Sequence, residues 1–145
     1  YIQKKLIDIN YHIYGSPKYL EKHGFPKNTS DLNKHSFISF GRGAPSPVYN
    51  PDWALKLGTK DNKKRKTVMK VNSVYGLLLA VQSGVGLAAL PDYITVNQPN
   101  IVKVLPNIEG PITEAHFVYP QSMKNVARVQ AFRNFLYSKI SEWEF

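Results

Sequence analysis

The sequence contains no cysteine. This absence excludes a disulfide framework, a thiolate metal site and a cysteine nucleophile together. Long apolar runs are absent as well, because the longest, over residues 85–91, is far shorter than the ~20 residues that cross a bilayer. No signal-peptide pattern opens the chain. We therefore expect no membrane association, and a cytoplasmic location fits the lack of cysteine.

Sequence motifs of catalysis and metal binding are also missing. No two histidines have the helical spacing of a metal site, and we expect each to be a surface or capping residue: His12, His23, His35 and His116. No nucleophile elbow, Ser-x-x-Lys pair or phosphate loop occurs, and the GVG of residues 84–86 is too short for a dinucleotide fingerprint. The sequence therefore predicts no enzymatic activity, no metal and no cofactor.

Positive charge exceeds negative charge. Nineteen Lys and Arg face ten Asp and Glu, which gives a formal charge of +9. Five of the nineteen lie in KDNKKRK, residues 60–66, between two apolar segments. This position favours a solvated turn, and the alternative is a contact with nucleic acid or another acidic partner.

Apolar alternation predicts several strands. Residues 6–14 read as a strand with at least one buried face, followed by a helix that Ser16 can cap and that Pro17 can begin. Residues 36–40 predict a second strand, and the Pro/Gly-rich residues 41–52 predict a loop. Residues 53–57 resume an extended pattern, so residues 53–71 could form a hairpin.

The most informative stretch is VNSVYGLLLAVQSGVGLAALPDY, residues 71–93. Asn72 or Ser73 can cap a helix, and its apolar residues recur at i, i+3, i+4 and i+7: Val74, Leu77, Leu78 and Val81. Gly84 can end this helix, and residues 85–90 predict a buried strand. Two more strands, at 101–105 and 115–119, precede a long helix from about residue 122, with an apolar stripe over Val126, Val129, Phe132, Leu136, Ile140 and Trp143. Strands that alternate with helices indicate an α/β architecture.

Three separated motifs, in order, resemble the effector-binding domain of LysR-type transcriptional regulators. The first is YGSPKYLEKHGFPKNTSDLNKHSFISF, similar to the family's Ser-Pro-x-Tyr-Leu, His-Gly-x-Pro and Asp-Leu pattern. The second is NSVYGLLLAVQSGVGLAALPDY, similar to its helix that ends in Gly-x-Gly and runs into Leu-Pro. The third is IVKVLPNIEGP with HFVYPQSMKNVARVQAFRNFLYSKI, similar to its closing strand, Val-Tyr-Pro and C-terminal helix.

The resemblance implies a fold like that of the type 2 periplasmic binding proteins, in which two α/β lobes joined by crossover strands close on a ligand. Residues 1–14 would be one crossover strand, and residues 15–112 the complete effector-binding lobe, called regulatory subdomain II. Residues 113–145 would supply the return crossover and the C-terminal helix of the other lobe, regulatory subdomain I. The chain begins at Tyr1 rather than Met, so we expect an N-terminally truncated domain.

Physical chemistry and the resemblance together suggest where an effector binds. Unpaired N–H groups at helix starts attract anions such as small carboxylates, which points to Ser16 and to Asn72 and Ser73, although each side chain could simply cap its own helix. Phe40, Gly41 and Arg42 lie where a strand ends in a loop. Arg42 could pair with a carboxylate, or be an ordinary surface charge. Leu90 and Pro91 could wall the cleft or pack the end of a strand.

The resemblance implies a domain that senses a small-molecule effector, so that ligand-dependent conformational change controls transcription. It implies a homo-oligomer in the intact protein, and DNA binding through a helix-turn-helix outside this chain. One alternative is an extracytoplasmic solute-binding protein of the same fold. Another is an enzyme on a bilobal scaffold, which would need an acid/base pair outside this chain.

Overall fold

The computed structural model describes residues 1–41 and 50–143 and divides the chain into two units. The central unit comprises Asn10–Pro111, and the terminal unit comprises Tyr1–Ile9 together with Ile112–Phe145. Each unit combines strands with helices. Among the described residues, no helix has both the length and the apolar character that a membrane span requires.

A three-stranded antiparallel sheet of order β5-β2-β6 crosses the central unit. It consists of β2 (Tyr11–Gly15), β5 (Ala88–Pro91) and β6 (Val102–Val104). All five residues of β2 are buried. Ile13 packs into one apolar cluster, and Tyr14 packs into another. The predicted strand with a buried face is therefore confirmed, although a break at Asn10 separates it from β1 (Ile2–Ile9).

The second sheet of this unit corrects the predicted hairpin. The predicted hairpin would pair β4 (Thr67–Val71) antiparallel with residues 53–57. β4 instead pairs in parallel with β3 (Phe37–Phe40). The stretch predicted as extended at residues 53–57 is instead a short helix, α2 (Trp53–Lys56). Its consecutive residues Ala54 and Leu55 are both buried, a pattern that one turn of helix packed on the core satisfies and a one-sided strand does not.

Two longer helices of the central unit form where the sequence predicts them. α1 (Pro17–His23) begins with proline at its first position, and α3 (Val74–Gln82) buries Leu77, Leu78 and Val81. Gly84 follows α3 at φ +80°, a backbone conformation that costs glycine little, and its N–H donates to the Val81 carbonyl. The 3₁₀ helices of the described chain are Thr29–Lys34, Lys60–Asn62, Asp92–Ile94 and Gln121–Met123.

The terminal unit contains an antiparallel pair and a helix. β1 pairs with β7 (Thr113–Tyr119), and α4 (Ala127–Ser141) is joined to β1 by a 2.9 Å hydrogen bond from the Tyr137 hydroxyl to the Lys5 carbonyl. The helix begins later than residue 122, because Val126 has an extended conformation.

No residue of α4 is fully buried. Of the predicted apolar stripe, Phe132 and Trp143 are 53% and 54% exposed. The remaining stripe residues are half-buried: Val126, Val129, Leu136 and Ile140.

Candidate functional site

A small apolar cavity of about 40 Å³ lies in the central unit where β3, β5 and the first turn of α3 meet. Its lining includes the whole of β3, Ala89 and Pro91 of β5, and Val74 and Leu77 of α3. The other described lining residues are Tyr11, Pro51, Trp53, Ala54 and Leu55. A space of this size takes up one apolar group of a ligand, and a larger ligand would extend from its mouth.

The structure brings several predicted site residues to this cavity or beside it. Phe40 and Pro91 line it. Gly41, the next residue after β3, donates its N–H to the Val71 carbonyl at 2.8 Å and lies against Asn72. The end of β3 is thereby held beside the start of α3. Arg42 lies outside the described residues.

Ser73 is the residue that caps α3. Its Oγ accepts the Gly76 N–H at 3.2 Å, whereas Asn72 is exposed and makes no capping hydrogen bond. Within the described chain, the N–H groups of Val74 and Tyr75 have no protein acceptor. Because Val74 also lines the cavity, unpaired N–H groups at the positive end of a helix dipole lie next to its wall.

Two other predicted site residues do not line the cavity. Ser16 is buried and caps α1, with its Oγ accepting the Tyr19 N–H at 3.2 Å. Leu90 is fully buried in the apolar cluster that includes Leu78 and Val81. Both positions correspond to the structural alternatives stated for them, a cap and a packed strand end.

Ser39 is a cavity residue that sequence reasoning missed. It lies in the middle of β3 and is only 7% exposed, and its hydroxyl has no hydrogen-bond partner among the described residues. The hydroxyl oxygen is not among the buried side-chain atoms that lack a partner, so it remains accessible, and an accessible unpaired hydroxyl in a cavity wall is an available partner for a ligand. A polar residue inside the short apolar run of residues 36–40 was the sequence signal for it.

Trp53 and Tyr11 were also missed as lining residues. Trp53 was assigned to an extended segment, and α2 turns it toward the cavity instead. Tyr11 was assigned to a strand only. Their aromatic rings, with that of Phe40, make the wall suitable for a flat or branched apolar group.

A buried polar cluster surrounds Asp92. His12 Nδ1 lies 2.9 Å from both carboxylate oxygens, the Tyr14 hydroxyl donates at 2.8 Å, and Lys103 Nζ donates at 3.2 Å. The Thr95 hydroxyl donates to the Asp92 carbonyl at 2.8 Å. The prediction that His12 is a surface or capping residue is therefore wrong, because it is 6% exposed and paired inside this cluster.

The cluster lies next to the cavity in sequence and in register. Asp92 follows Pro91 and His12 follows Tyr11, and Pro91 and Tyr11 are Cα partners across the β2–β5 ladder. The hydrogen bonds of Asp92 thus fix the strands that carry these two lining residues. The carboxylate oxygens of the cluster are already paired with donors.

Burial raises the pKa of the Tyr14 phenol well above its ordinary value of 10.0. The hydrogen bond to Asp92 and the negative charge of that carboxylate act in the same direction, while the hydrogen bond from Thr95 opposes them. Tyr14 therefore remains a protonated donor to Asp92 throughout the neutral range.

A wider surface groove of about 500 Å³ is lined by residues 26–29 and 105–108. Polar groups at its rim are already paired, since the Asn28 side chain accepts the Asp31 N–H and the Lys27 N–H donates to the Asp31 carboxylate. Although this groove is larger, the cavity beside α3 combines apolar walls with unpaired donors and is the better candidate. No cluster of potential metal ligands occurs in residues 1–41 and 50–143.

Comparisons with solved structures identify the fold class of this chain. The regulatory domain of CrgA, a LysR-type transcriptional regulator from Neisseria meningitidis, aligns with a TM-score of 0.78 at 23% identity, over 96% of this chain and 68% of that one. The regulatory domain of AphB from Vibrio vulnificus, treated with cumene hydroperoxide, aligns with a TM-score of 0.70 at 17% identity, over 94% of this chain and 69% of that one. The fold is thus an α/β fold of the periplasmic-binding-protein-like type 2 class, as expected.

The family follows from a sequence match. The family model described as the LysR substrate binding domain matches residues 1–140, so the chain belongs to that family. An uncharacterized HTH-type transcriptional regulator of Haemophilus influenzae is 29% identical over 123 residues, which are 82% of this chain and 41% of that protein. The family consists of transcriptional regulators rather than enzymes, and the alternative of a solute-binding protein is not favoured.

Proposed function

We propose that this chain is the effector-binding domain of a LysR-type transcriptional regulator and that a small molecule binds at the cavity beside α3. The observation that carries the proposal is the juxtaposition of apolar walls, the unpaired Ser39 hydroxyl and the unpaired N–H groups of Val74 and Tyr75. Binding would stabilise one conformation of the intact regulator, and transcription would respond to that change in population.

The cavity suits an effector with an apolar group and an anionic or hydrogen-bond-accepting group. The aromatic walls receive the apolar group, while the start of α3 offers N–H donors and a positive helix dipole end. A small carboxylate meets both requirements. Charge-assisted hydrogen bonds of this type are stronger than those between neutral groups.

The intact protein would act on DNA through a helix-turn-helix outside this chain, as a homo-oligomer in the cytoplasm. The relative from Haemophilus influenzae is an HTH-type regulator of which this chain spans 41%. We further propose that residues 15–112 form regulatory subdomain II, that residues 1–14 and 113–119 are its crossover strands, and that residues 120–145 belong to subdomain I. The chain itself would bind its effector without transforming it.

The test is a thermal melt of the purified chain against a panel of small carboxylates, amines and neutral metabolites. At a ligand concentration about one hundred times Kd, binding to the native state alone adds about 2.7 kcal/mol of stability. We expect at least one carboxylate to raise the melting temperature. A chain indifferent to every compound would contradict the proposal.

Ser39→Ala tests the location of the site. Removing a hydrogen bond to a charged group costs about 1.5–3 kcal/mol, so affinity for the carboxylate should fall on the order of tenfold or more. The matched control is Ser30→Ala, which changes an exposed serine of the same unit. Equal affinities of the two variants would place the effector elsewhere.

A further inference from the structure

The positive charge of the chain is concentrated in one segment of the central unit. Residues 56–70 contain seven basic residues and one acidic residue, so their formal charge is +6 out of +9 for the chain. The effector site does not use these side chains, since none of them lines the cavity. The segment therefore needs its own explanation.

Arg65 fixes this segment to the core. Its N–H donates to the Leu55 carbonyl at 2.9 Å, its Nη1 donates to the Ala54 carbonyl at 3.1 Å, and its guanidinium carbon lies 5.4 Å from the centre of the Phe37 ring. Burial lowers the pKa of this guanidinium, which nevertheless remains charged. The flanking lysines are thus held on an anchored backbone rather than on a free tail.

Five lysines of the segment remain available to a partner, namely Lys56 at the end of α2 and four later ones. Lys64 is engaged by Asp52. The remaining four lysines after Lys56 in the chain are exposed and have no acidic partner among the described residues. We call them the basic surface: Lys60, Lys63, Lys66 and Lys70.

The backbone places two members of the basic surface within one tight turn. Asp61 and Asn62 adopt left-handed conformations, at φ 54° and 53°, and the Lys63 N–H donates to the Lys60 carbonyl at 3.0 Å. Lys66 directly precedes β4, and Lys70 lies within it. The only strand that pairs with β4 in the described chain is β3. Within residues 60–70, these four lysines accompany a single acidic residue, Asp61.

We propose that the basic surface binds the phosphate backbone of duplex DNA without reading its sequence. Lysine ammonium groups act as point charges that suit phosphates, and each phosphate neutralised releases counterions. No aromatic residue occurs in residues 56–70, so the surface offers no platform for stacking the bases of a single strand. The proposal is independent of the effector site, and failure of either leaves the other standing.

The experiment measures binding of the 145-residue chain to a fluorescent duplex of scrambled sequence by anisotropy, from about 50 to about 200 mM salt. The wild-type chain should bind at low salt, with a logarithmic slope against salt of about −3 to −4. The triple variant K60Q/K63Q/K66Q should bind on the order of tenfold more weakly, and its slope should be shallower by about 1 per lysine removed.

The matched control is K18Q/K22Q/K27Q, which removes the same charge from exposed positions elsewhere in the central unit. It should keep its affinity within about twofold, because nonspecific attraction by net charge alone is weaker than contact. Thermal melts verify that both variants fold, and Lys66→Gln alone provides a milder variant with a slope change of about 1. The proposal is overturned if the control loses as much affinity as the patch variant, if the wild-type chain does not bind the duplex at low salt, or if it prefers phosphatidylserine vesicles to DNA.

Discussion

Asp92 is a buried carboxylate that joins β2, β6 and the turn after β5. It is 5% exposed and receives hydrogen bonds from His12, Tyr14 and Lys103. Its sequence context, after Leu-Pro, gave no sign of this role, because the three partners lie 11 or more positions away. A carboxylate with this many donors organises the strands that carry cavity residues.

We expect Asp92→Asn to lower the free energy of unfolding by about 3 kcal/mol, because the buried donors lose the charged acceptor to which they are hydrogen-bonded. Urea unfolding followed by circular dichroism measures the change. Asp52→Asn is the control, since its pair with Lys64 is partly exposed and such pairs contribute about 1 kcal/mol or less. Similar losses in the two variants would refute the assigned role of Asp92.

The raised pKa of Tyr14 predicts that the folded chain loses stability at alkaline pH. Its pKa is raised by folding, so as pH rises above the ordinary value of 10.0 the unfolded chain loses this proton before the folded chain does. The unfolded state then binds fewer protons, and the contribution of Tyr14 to stability, complete below that value, declines as pH rises. Unfolding free energies measured on both sides of pH 10 should show a smaller decline for Tyr14→Phe than for Tyr75→Phe, which alters an exposed tyrosine. Identical pH profiles would show that Tyr14 titrates normally in the folded chain.

At the scale of elements, helix caps and apolar spacing predicted the two helices whose positions depend on neighbouring residues in the sequence. α1 begins at Ser16 and Pro17, as its cap and proline predict, and α3 begins at its serine cap and lies where apolar spacing predicts it. The failure came at residues 53–71, where the pairing of β4 with β3 depends on a partner about thirty residues away. Periodicity reports which side of a strand is apolar, and it does not report which strand lies alongside.

The sequence left open whether Asn72 or Ser73 caps α3, and the structure assigns Ser73. Ser73→Ala should therefore lower the free energy of unfolding by about 1 kcal/mol, because the Gly76 N–H loses its acceptor. Asn72→Ala should change it by less than about 0.5 kcal/mol, as for other exposed positions. Chemical denaturation of the two variants decides between them, and the reverse order would make Asn72 the cap.

At the scale of the whole molecule, alternation of strands and helices was enough to predict an α/β chain, and the three motifs were enough to predict its family. The composition of the site was less accessible. Phe40 and Pro91, which the sequence places at strand ends, line the cavity, whereas Ser39 and Trp53 are brought to it by contacts between elements distant in sequence. The charge on residues 56–70 is visible in the sequence, but the anchoring of Arg65 on Phe37 is not.

The most direct test of the account is amide NMR of the isotope-labelled chain, titrated with whichever compound raises its melting temperature. Effector binding at the cavity predicts that the largest chemical-shift changes occur at Ser39, Phe40, Val74 and Tyr75, and that they saturate together. Changes centred on the groove of residues 26–29 and 105–108, with the cavity amides unmoved, would contradict the proposed site.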